Sequence, residues 1–169
     1  MPDRTLVKRS DKVAFFGNMG TGTETFNRMR GFTTLSGAKN PSEYSRQYVD
    51  EEFETTDVTG YSPSYDFGFD QYKGDLVHDE MVEILDGEKT GTEARRNIVI
   101  VDFSQPVTGQ DGTYKAVKRE WAIIGDSEGD SMDAYTYSGS LRATGKRIKG
   151  TATLNADSSV ATFTEEASL

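Results

Sequence analysis

Apolar and polar residues alternate along much of the chain, and this period-two pattern predicts β-strands with one buried face. Three segments show it most clearly, with apolar faces made of Tyr65, Phe67 and Phe69 in SPSYDFGFD, of Val117, Trp121 and Ile123 in YKAVKREWAII, and of Tyr135, Tyr137, Leu141 and Ala143 in AYTYSGSLRAT. We therefore predict a core that includes Tyr65, Phe67, Phe69, Trp121 and Tyr137. A fourth segment, NIVIVDF, is apolar on both faces, which is typical of a strand covered on both sides.

Weaker strand signals lie at residues 13–16, 30–35, 44–49, 54–59, 147–153 and 160–164. One segment, GDLVHDEMVEILDGE, has helical spacing instead, with an apolar stripe of Leu76, Val77, Met81, Ile84 and Leu85. Asp75 is the predicted N-cap of this helix, and Gly87 is its predicted stop. The pattern as a whole predicts a mainly β fold, an antiparallel β-sandwich or barrel with one flanking α-helix.

Composition narrows the class of protein. The length of 169 residues suits a single domain over residues 1–169, and the net charge of −9 disfavours sequence-specific binding to nucleic acid. The chain contains no cysteine, so disulfides and thiolate chemistry are excluded. The N-terminal stretch lacks the apolar segment of a signal peptide, and no apolar run is long enough to span a membrane. We expect a protein that is made in a cytoplasm and is soluble there.

The glycine-rich stretch GNMGTGTET, residues 17–25, raises the possibility of a phosphate-binding loop. Gly17 and Gly22 have the spacing of a P-loop, but Thr23 and Glu24 follow where that motif needs a lysine and a hydroxyl residue. A carboxylate at this point would repel phosphate. The stretch is better interpreted as a pliable connector after the N-terminal segment.

Other candidate chemistry is equally unspecific. His78 is the only histidine, and its place at the start of the predicted helix suits a surface or capping residue better than a catalytic one. The acidic stretch GDSEGDSMDAY could supply oxygen ligands to a cation, but it lacks EF-hand spacing and is typical of a solvated loop. We therefore predict no catalytic residues, no cofactor and no metal, and expect a structural or binding protein rather than an enzyme.

Three segments carry a resemblance to a known family. They are TDVTGYSPSYDFGFDQYKGDLVHDEMVEILDG at residues 56–87, AVKREWAIIGDSEGD, and DAYTYSGSLRATGKRIKGTAT. The sharpest marks are TGYSPSY, the YKGD step into the helix, and KREWAII with the acidic turn after it. Together they resemble the major tail tube protein of long-tailed, siphovirus-type bacteriophages, over residues 29–163.

The resemblance implies a fold and a role. In the family, a β-sandwich or small barrel with a flanking helix assembles into hexameric rings, whose sheets join into a continuous inner barrel. The rings stack into a hollow tail tube that conducts DNA to the host cell. The implied partners are further copies of the chain and the tail completion, tape-measure and distal tail proteins, with DNA only in transit and no membrane contact. The implied location is the virion tail, after synthesis in the host bacterial cytoplasm.

The resemblance also implies which segments bridge subunits. Residues 36–56 are interpreted as an inter-ring loop with a strand at each end, and residues 1–12 as an arm that packs on a neighbouring subunit. The expected interface residues in the loop are Tyr44, Arg46, Tyr48, Asp50 and Phe53. An ordinary long hairpin without a partner is the alternative for this loop.

Two other functions stay open at this point. The tube of a contractile tail or of a bacteriocin-like particle has the same broad architecture. A carbohydrate-binding β-sandwich is a different class, suggested by the aromatic stretch from Tyr61 to Tyr72 and by the acidic loops.

Overall fold

The computed structural model describes residues 3–17 and 24–167. The described residues form one α-helix, α1 (Leu76–Asp86), two short 3-10 helices (Arg9–Asp11 and Gly91–Ala94), and eleven β-strands: β1 (Lys12–Gly17), β2 (Phe26–Arg28), β3 (Phe32–Ala38), β4 (Pro41–Arg46), β5 (Thr55–Tyr61), β6 (Ser64–Asp70), β7 (Arg95–Pro106), β8 (Thr113–Glu128), β9 (Thr136–Ala143), β10 (Ile148–Leu154) and β11 (Val160–Glu165). The prediction of a mainly β fold with one flanking helix is confirmed.

Nine of the strands form one sheet in the order β10-β11-β2-β1-β7-β8-β9-β6-β3. An additional antiparallel pairing of β10 with the first part of β8, from Thr113 to Lys118, closes the first six strands into a barrel. The second part of β8 pairs with β9 from Trp121 onward, so this long strand leaves the barrel and begins a second sheet, β8-β9-β6-β3. Strands β4 and β5 pair only with each other.

The barrel interior holds the smaller of two hydrophobic cores. Every barrel strand contributes to it, through Phe15, Phe26, Val99, Val101, Ala116, Ala152 and Ala161. This core combines small alanines with large phenylalanines, which suits the narrow interior of a six-stranded barrel.

The larger core lies between the outer face of β1, β7 and β8 on one side, and β6, β9 and α1 on the other. Ile98 belongs to this core whereas its neighbour Val99 points into the barrel, so β7 is buried on both faces as its sequence predicted. Phe67, Phe69, Trp121 and Tyr137, all residues of the predicted core, are at most 5% exposed. Tyr65, the fifth, is only half-buried and packs its ring edge-on against Trp121, with centroids 5.2 Å apart.

Helix α1 begins and ends at the predicted residues. The Asp75 carboxylate accepts hydrogen bonds from the backbone N–H groups of Val77 and His78, which makes it the N-cap. At the other end, the left-handed residue is Glu88 (φ 49°) rather than Gly87. Glycine is needed at position 87 for space, because a Cβ there would lie 2.7 Å from the Glu83 carbonyl oxygen.

Several expectations from the sequence are wrong in detail. Leu76 is 66% exposed, and His78, expected at the surface, takes its place on the buried face of α1. The strand expected at residues 44–49 runs instead over residues 41–46. Strand β2 was not predicted, because its sequence FNR is too short to show alternation. The acidic stretch after Gly125 is not a loop throughout, since β8 continues to Glu128.

Candidate assembly surfaces

The hairpin formed by β4 and β5 stands apart from the body of the molecule. Its strands pair from Pro41↔Tyr61 to Arg46↔Thr55, and they share no ladder with the nine-stranded sheet. Every residue from 41 to 61 is exposed except Arg46 and Gly60, which are half-buried. Among the described residues, none of this hairpin belongs to either core. Both faces of the hairpin are therefore free to contact another molecule.

The predicted interface residues of β4 organise one face of this hairpin. The Arg46 guanidinium lies over the rings of Tyr44 and Tyr48, 5.3 and 5.4 Å from their centroids. It also donates to the Tyr48 hydroxyl over 2.7 Å and forms an ion pair with Asp57 over 2.5 Å. The pKa of the Arg46 guanidinium is raised, first by the side-chain hydrogen bond to Asp57 and next by the hydrogen bond to Tyr48. Tyr44 and Tyr48 nonetheless stay 56% and 52% exposed, as flat apolar rings held in place.

The hairpin tip, residues 47–54, carries the remaining predicted interface residues. Asp50, Glu51, Glu52 and Glu54 give it four carboxylates and no cation. Among the described residues, no ion pair involves any of these four. The side-chain amide of Gln47 donates to the carbonyls of Glu51 and Glu52 across the tip, at 3.1 Å each, and so gives it a defined shape.

Two apolar side chains project from this acidic tip. Phe53 is 75% exposed, and Val49 is fully exposed. Phe53 therefore presents apolar surface to solvent between the carboxylates of Glu52 and Glu54. The tip therefore combines negative charge with an apolar anchor.

The base of the hairpin is tied to the second sheet through Asn40. Its backbone is left-handed (φ 47°), and its side-chain amide donates to the Ser62 carbonyl at 3.0 Å and to the Ser64 hydroxyl at 2.9 Å. The Ser62 N–H returns a bond to the Asn40 carbonyl over 3.2 Å. These bonds fix the two chain ends from which the hairpin projects.

A basic groove of about 560 Å³ lies at this base. Leu35, Tyr65 and Ile100 contribute apolar surface to its lining, and Lys8, Arg9, Lys12 and Lys39 supply its charge. Arg9 holds the N-terminal segment against β3 by donating to the Lys12 carbonyl at 2.8 Å and to the Leu35 carbonyl at 3.0 Å. Burial raises the pKa of the Tyr65 hydroxyl in this groove, and the charges of Arg9 and Arg119 oppose the shift.

The N-terminal segment itself is exposed. Residues 3–10 are exposed throughout, and Leu6 and Val7 are 82% and 49% exposed despite their apolar side chains. Residue 12 of the predicted arm already belongs to β1, so the free segment ends earlier than expected. A second open surface is the edge of β3, which pairs only with β6 within the described chain.

His78 is not available for chemistry at the surface. It is 0% exposed, its Nδ1 accepts from the Tyr72 N–H at 3.0 Å, and its Nε2 contacts the Arg30 carbonyl at 2.6 Å. Because the carbonyl can only accept and the amide can only donate, the ring is neutral with its proton on Nε2. The prediction of a surface histidine is wrong, since the ring is buried and both of its nitrogens find backbone partners.

The other candidate chemistry of the sequence is also placed. Residues 18–23 of the glycine-rich stretch lie outside the described residues. Glu24, which follows them, receives a 2.9 Å hydrogen bond from the Asn97 side chain and pairs with Lys118 at 3.6 Å. Among the described residues no cluster of His, Asp and Glu has the geometry to hold a metal ion. In the same residues, no helix is long and apolar enough to cross a membrane.

The aromatic stretch does not form a sugar-binding platform on β6. Phe67 and Phe69 are 2% and 1% exposed, and Phe69 stacks on Tyr137 with centroids 5.4 Å apart. Their faces are covered by the larger core, so they cannot stack on a glycan. The strand pairing thus defines a six-stranded antiparallel barrel that continues into a second sheet, with a free hairpin as its most exposed element.

Comparison with known proteins adds a structural likeness. No protein-family model matches the chain, and no curated protein matches it. Among solved structures, it is similar to a chain in the cryo-EM structure of the anti-feeding prophage (AFP) baseplate, 6-fold symmetrised. The identity is 14%, the match covers 88% of this chain and 97% of that chain, and the TM-score is 0.46. A likeness this remote carries no argument about function.

Proposed function

We propose that this protein is a structural virion protein, whose hexameric rings stack into the hollow tail tube of a long-tailed bacteriophage and conduct DNA to the host cell. The observation that carries the proposal is the free hairpin at residues 41–61, with exposed aromatic rings on its strands and at its tip. An isolated two-stranded hairpin is marginally stable in water. A neighbouring copy that covers it supplies the missing stabilisation.

The open edge of β3 supports the same proposal. Its unpaired backbone groups can pair with a strand of a neighbouring copy, and closure of six copies into a ring removes all such edges. This edge and the hairpin provide two kinds of contact, one suited to the ring and one suited to the stacking of rings.

The charge of the chain suits a conduit for DNA. Six copies of a chain with net charge −9 carry 6 × −9 = −54 per ring. A negative wall repels phosphates, so that DNA passes without sticking. Salt screens this repulsion beyond about 10 Å at 0.1 M ionic strength, so its effect is confined to the lumen.

The test is direct imaging of the purified protein. We expect the concentrated chain to form rings or long hollow tubes in negative-stain electron micrographs. A monomer at high concentration that binds glycans would contradict the proposal and favour a carbohydrate-binding protein.

A hairpin deletion tests the carrying observation. Asn40 and Ser62 are already joined by backbone and side-chain hydrogen bonds, so replacing residues 41–61 with Gly-Gly closes a tight turn between them. Because the hairpin contributes nothing to either core in the described chain, the free energy of unfolding should change by no more than about 1 kcal/mol. Tubes should be absent.

The matched control replaces Asp130, Ser131 and Met132, another exposed segment, with glycines and should leave the tubes intact. Normal tubes from the hairpin-deletion variant would show that the hairpin is not required for assembly.

A further inference from the structure

We propose that the acidic hairpin tip of one copy docks into the basic groove of a second copy. This inference rests on the proposed self-assembly and deepens it, because it names the two surfaces that meet. The groove carries four cations, Lys8, Arg9, Lys12 and Lys39, and its lining contains no carboxylate. The tip carries four carboxylates and no cation. The two surfaces are therefore complementary in sign and equal in number of charges.

Apolar surface matches on the two sides as well. The groove has half-buried Leu35, Tyr65 and Ile100 in its lining, alongside its exposed cations. The tip presents Phe53, 75% exposed, between carboxylates. An aromatic anchor inserted into an apolar pocket with charges around it is the arrangement in which a few residues dominate binding.

The tip cannot reach the groove of its own chain. The groove lies at the base of the hairpin, since Ala38 and Lys39 precede β4 directly and Pro63 follows β5 closely. Strand β4 is six residues long and paired along its whole length, so it holds the tip roughly 20 Å away at a rise of about 3.3 Å per residue. The occupant must be the tip of another copy.

The placement of the two surfaces also determines how copies propagate. Donor tip and acceptor groove lie at opposite ends of one hairpin, so the contact is head-to-tail and leaves one free tip at one end of a chain of copies and one free groove at the other. Head-to-tail contacts form an open chain of copies unless the rotation between successive copies closes that chain into a ring. This is the kind of contact that stacking along a tube axis requires.

Charge reversal tests the docking. The tip variant changes Asp50, Glu51 and Glu52 to Lys, and the groove variant changes Lys8, Lys12 and Lys39 to Glu. Arg9 is left in place because it holds the N-terminal segment. Each variant should raise the concentration at which assembly begins by at least about tenfold, and the combined, charge-swapped chain should restore assembly to within about threefold of the original.

Matched controls carry the same charge changes elsewhere on exposed residues. They are Lys73, Lys146 and Lys149 to Glu for the groove, and Asp111, Asp130 and Asp133 to Lys for the tip. Assembly should respond to these controls by less than about threefold. Sedimentation velocity at low and high sodium chloride gives the onset, and high salt should weaken the original and the swapped chain alike.

Cross-linking tests the contact without relying on tubes. Because the chain contains no cysteine, Glu52→Cys in one copy and Lys39→Cys in another introduce single thiols. A short bismaleimide should link the mixed pair at least about tenfold more efficiently than it links Glu52→Cys with Lys146→Cys, which is also exposed. These single changes keep most of the native charge, so the test stands even if a reversal variant fails to fold.

The outcomes separate this inference from the proposed function. Tubes without selective cross-linking or rescue by the charge swap would overturn the docking and leave the tube function standing. Selective cross-linking of the Glu52→Cys and Lys39→Cys pair into dimers without tubes would support the docking and overturn the tube function. Loss of assembly in the groove variant alone, with no effect of the tip variant, would assign the groove to another acidic segment such as residues 165–167 and overturn the docking. A monomer without cross-links would overturn both.

Discussion

Replacing His78 with phenylalanine should destabilise the subunit, although phenylalanine is a good match for its surroundings. The ring sits among Phe32, Phe69 and Tyr72, with centroids 4.7 to 5.9 Å away. The position of Gly31, which has φ +74°, leaves room for it, because a Cβ there would lie 2.9 Å from the imidazole Cε1. Phenylalanine keeps an aromatic ring at this position, but its ring carbons cannot approach the Arg30 carbonyl oxygen as closely as Nε2 does at 2.6 Å, so the change removes both hydrogen bonds and adds crowding.

The expected magnitude follows from those bonds. The Tyr72 N–H and the Arg30 carbonyl lose their partner, and each unsatisfied group costs about 1–3 kcal/mol. Both groups lie in residues that are partly open to water, so water can lessen the cost of their lost partner. The more apolar phenylalanine ring also stabilises the folded state by about 1 kcal/mol. We expect a net loss of about 2–3 kcal/mol, or about 5–10 °C in Tm for a chain of this size.

The assay is urea unfolding followed by tryptophan fluorescence. Trp121 is the single tryptophan and is 4% exposed in the larger core, so its emission reports on that core directly. His78→Asn places an oxygen near the position of Nδ1 and should lose less than His78→Phe. Met81→Leu, on the same buried face of α1 but without side-chain hydrogen bonds, should cost about 1 kcal/mol or less. A His78→Phe variant as stable as the original would refute a structural role for the two hydrogen bonds.

Two further predictions concern the larger core. Trp121→Ala should cost about 3–5 kcal/mol, measured by calorimetry since the fluorophore is lost, and an unchanged Tm would exclude Trp121 from the core. Burial, assisted by the negative charge of Asp86 and a hydrogen bond to it, raises the pKa of Tyr137 to about 12. The folded state thus holds this proton more tightly than the unfolded state, and the stability it contributes should be lost between about pH 10 and 12. Tyr137→Phe should lessen that alkaline loss, whereas Tyr61→Phe on the exposed hairpin should not, and equal slopes for all three chains would contradict the prediction.

Much of the fold was predictable because its signals are local. The alternation of Phe67 and Phe69 with polar neighbours is enough to predict β6 and its buried face. The continuous apolar run of β7 predicted burial on both sides, and the barrel and the larger core provide the two covers. Asp75 satisfies backbone N–H groups within its own turn, so its capping role could also be predicted from the sequence.

The burial of His78 could not be predicted from local sequence signals. A polar residue near a helix start suggested the surface, because nothing in the neighbouring sequence supplies partners for a buried imidazole. Its Nε2 partner, Arg30, lies 48 positions away in sequence, and only the folded chain brings the two together. Leu76 is exposed because the face of α1 that packs on the core carries Val77, His78, Met81 and Ile84 instead.

The candidate assembly surfaces were likewise only partly predictable from the sequence. A polar, aromatic-rich segment with a strand at each end was predictable, as was the acidic character of residues 50–54. The basic groove was not, because Lys8 and Lys12 belong to the N-terminal stretch and Lys39 follows β3, and the two stretches meet only when β3 lies alongside the N-terminal segment.

The sequence alone determined most of the strands, the helix and its cap, because each depends on residues within a few positions of one another, and composition alone determined the sign of the net charge. The tertiary structure decided the closure of the barrel by β8 and β10, the burial of His78, and the groove at the base of the hairpin. These depend on pairings between distant segments, whose free energy comes from burying surfaces against each other rather than from any local preference.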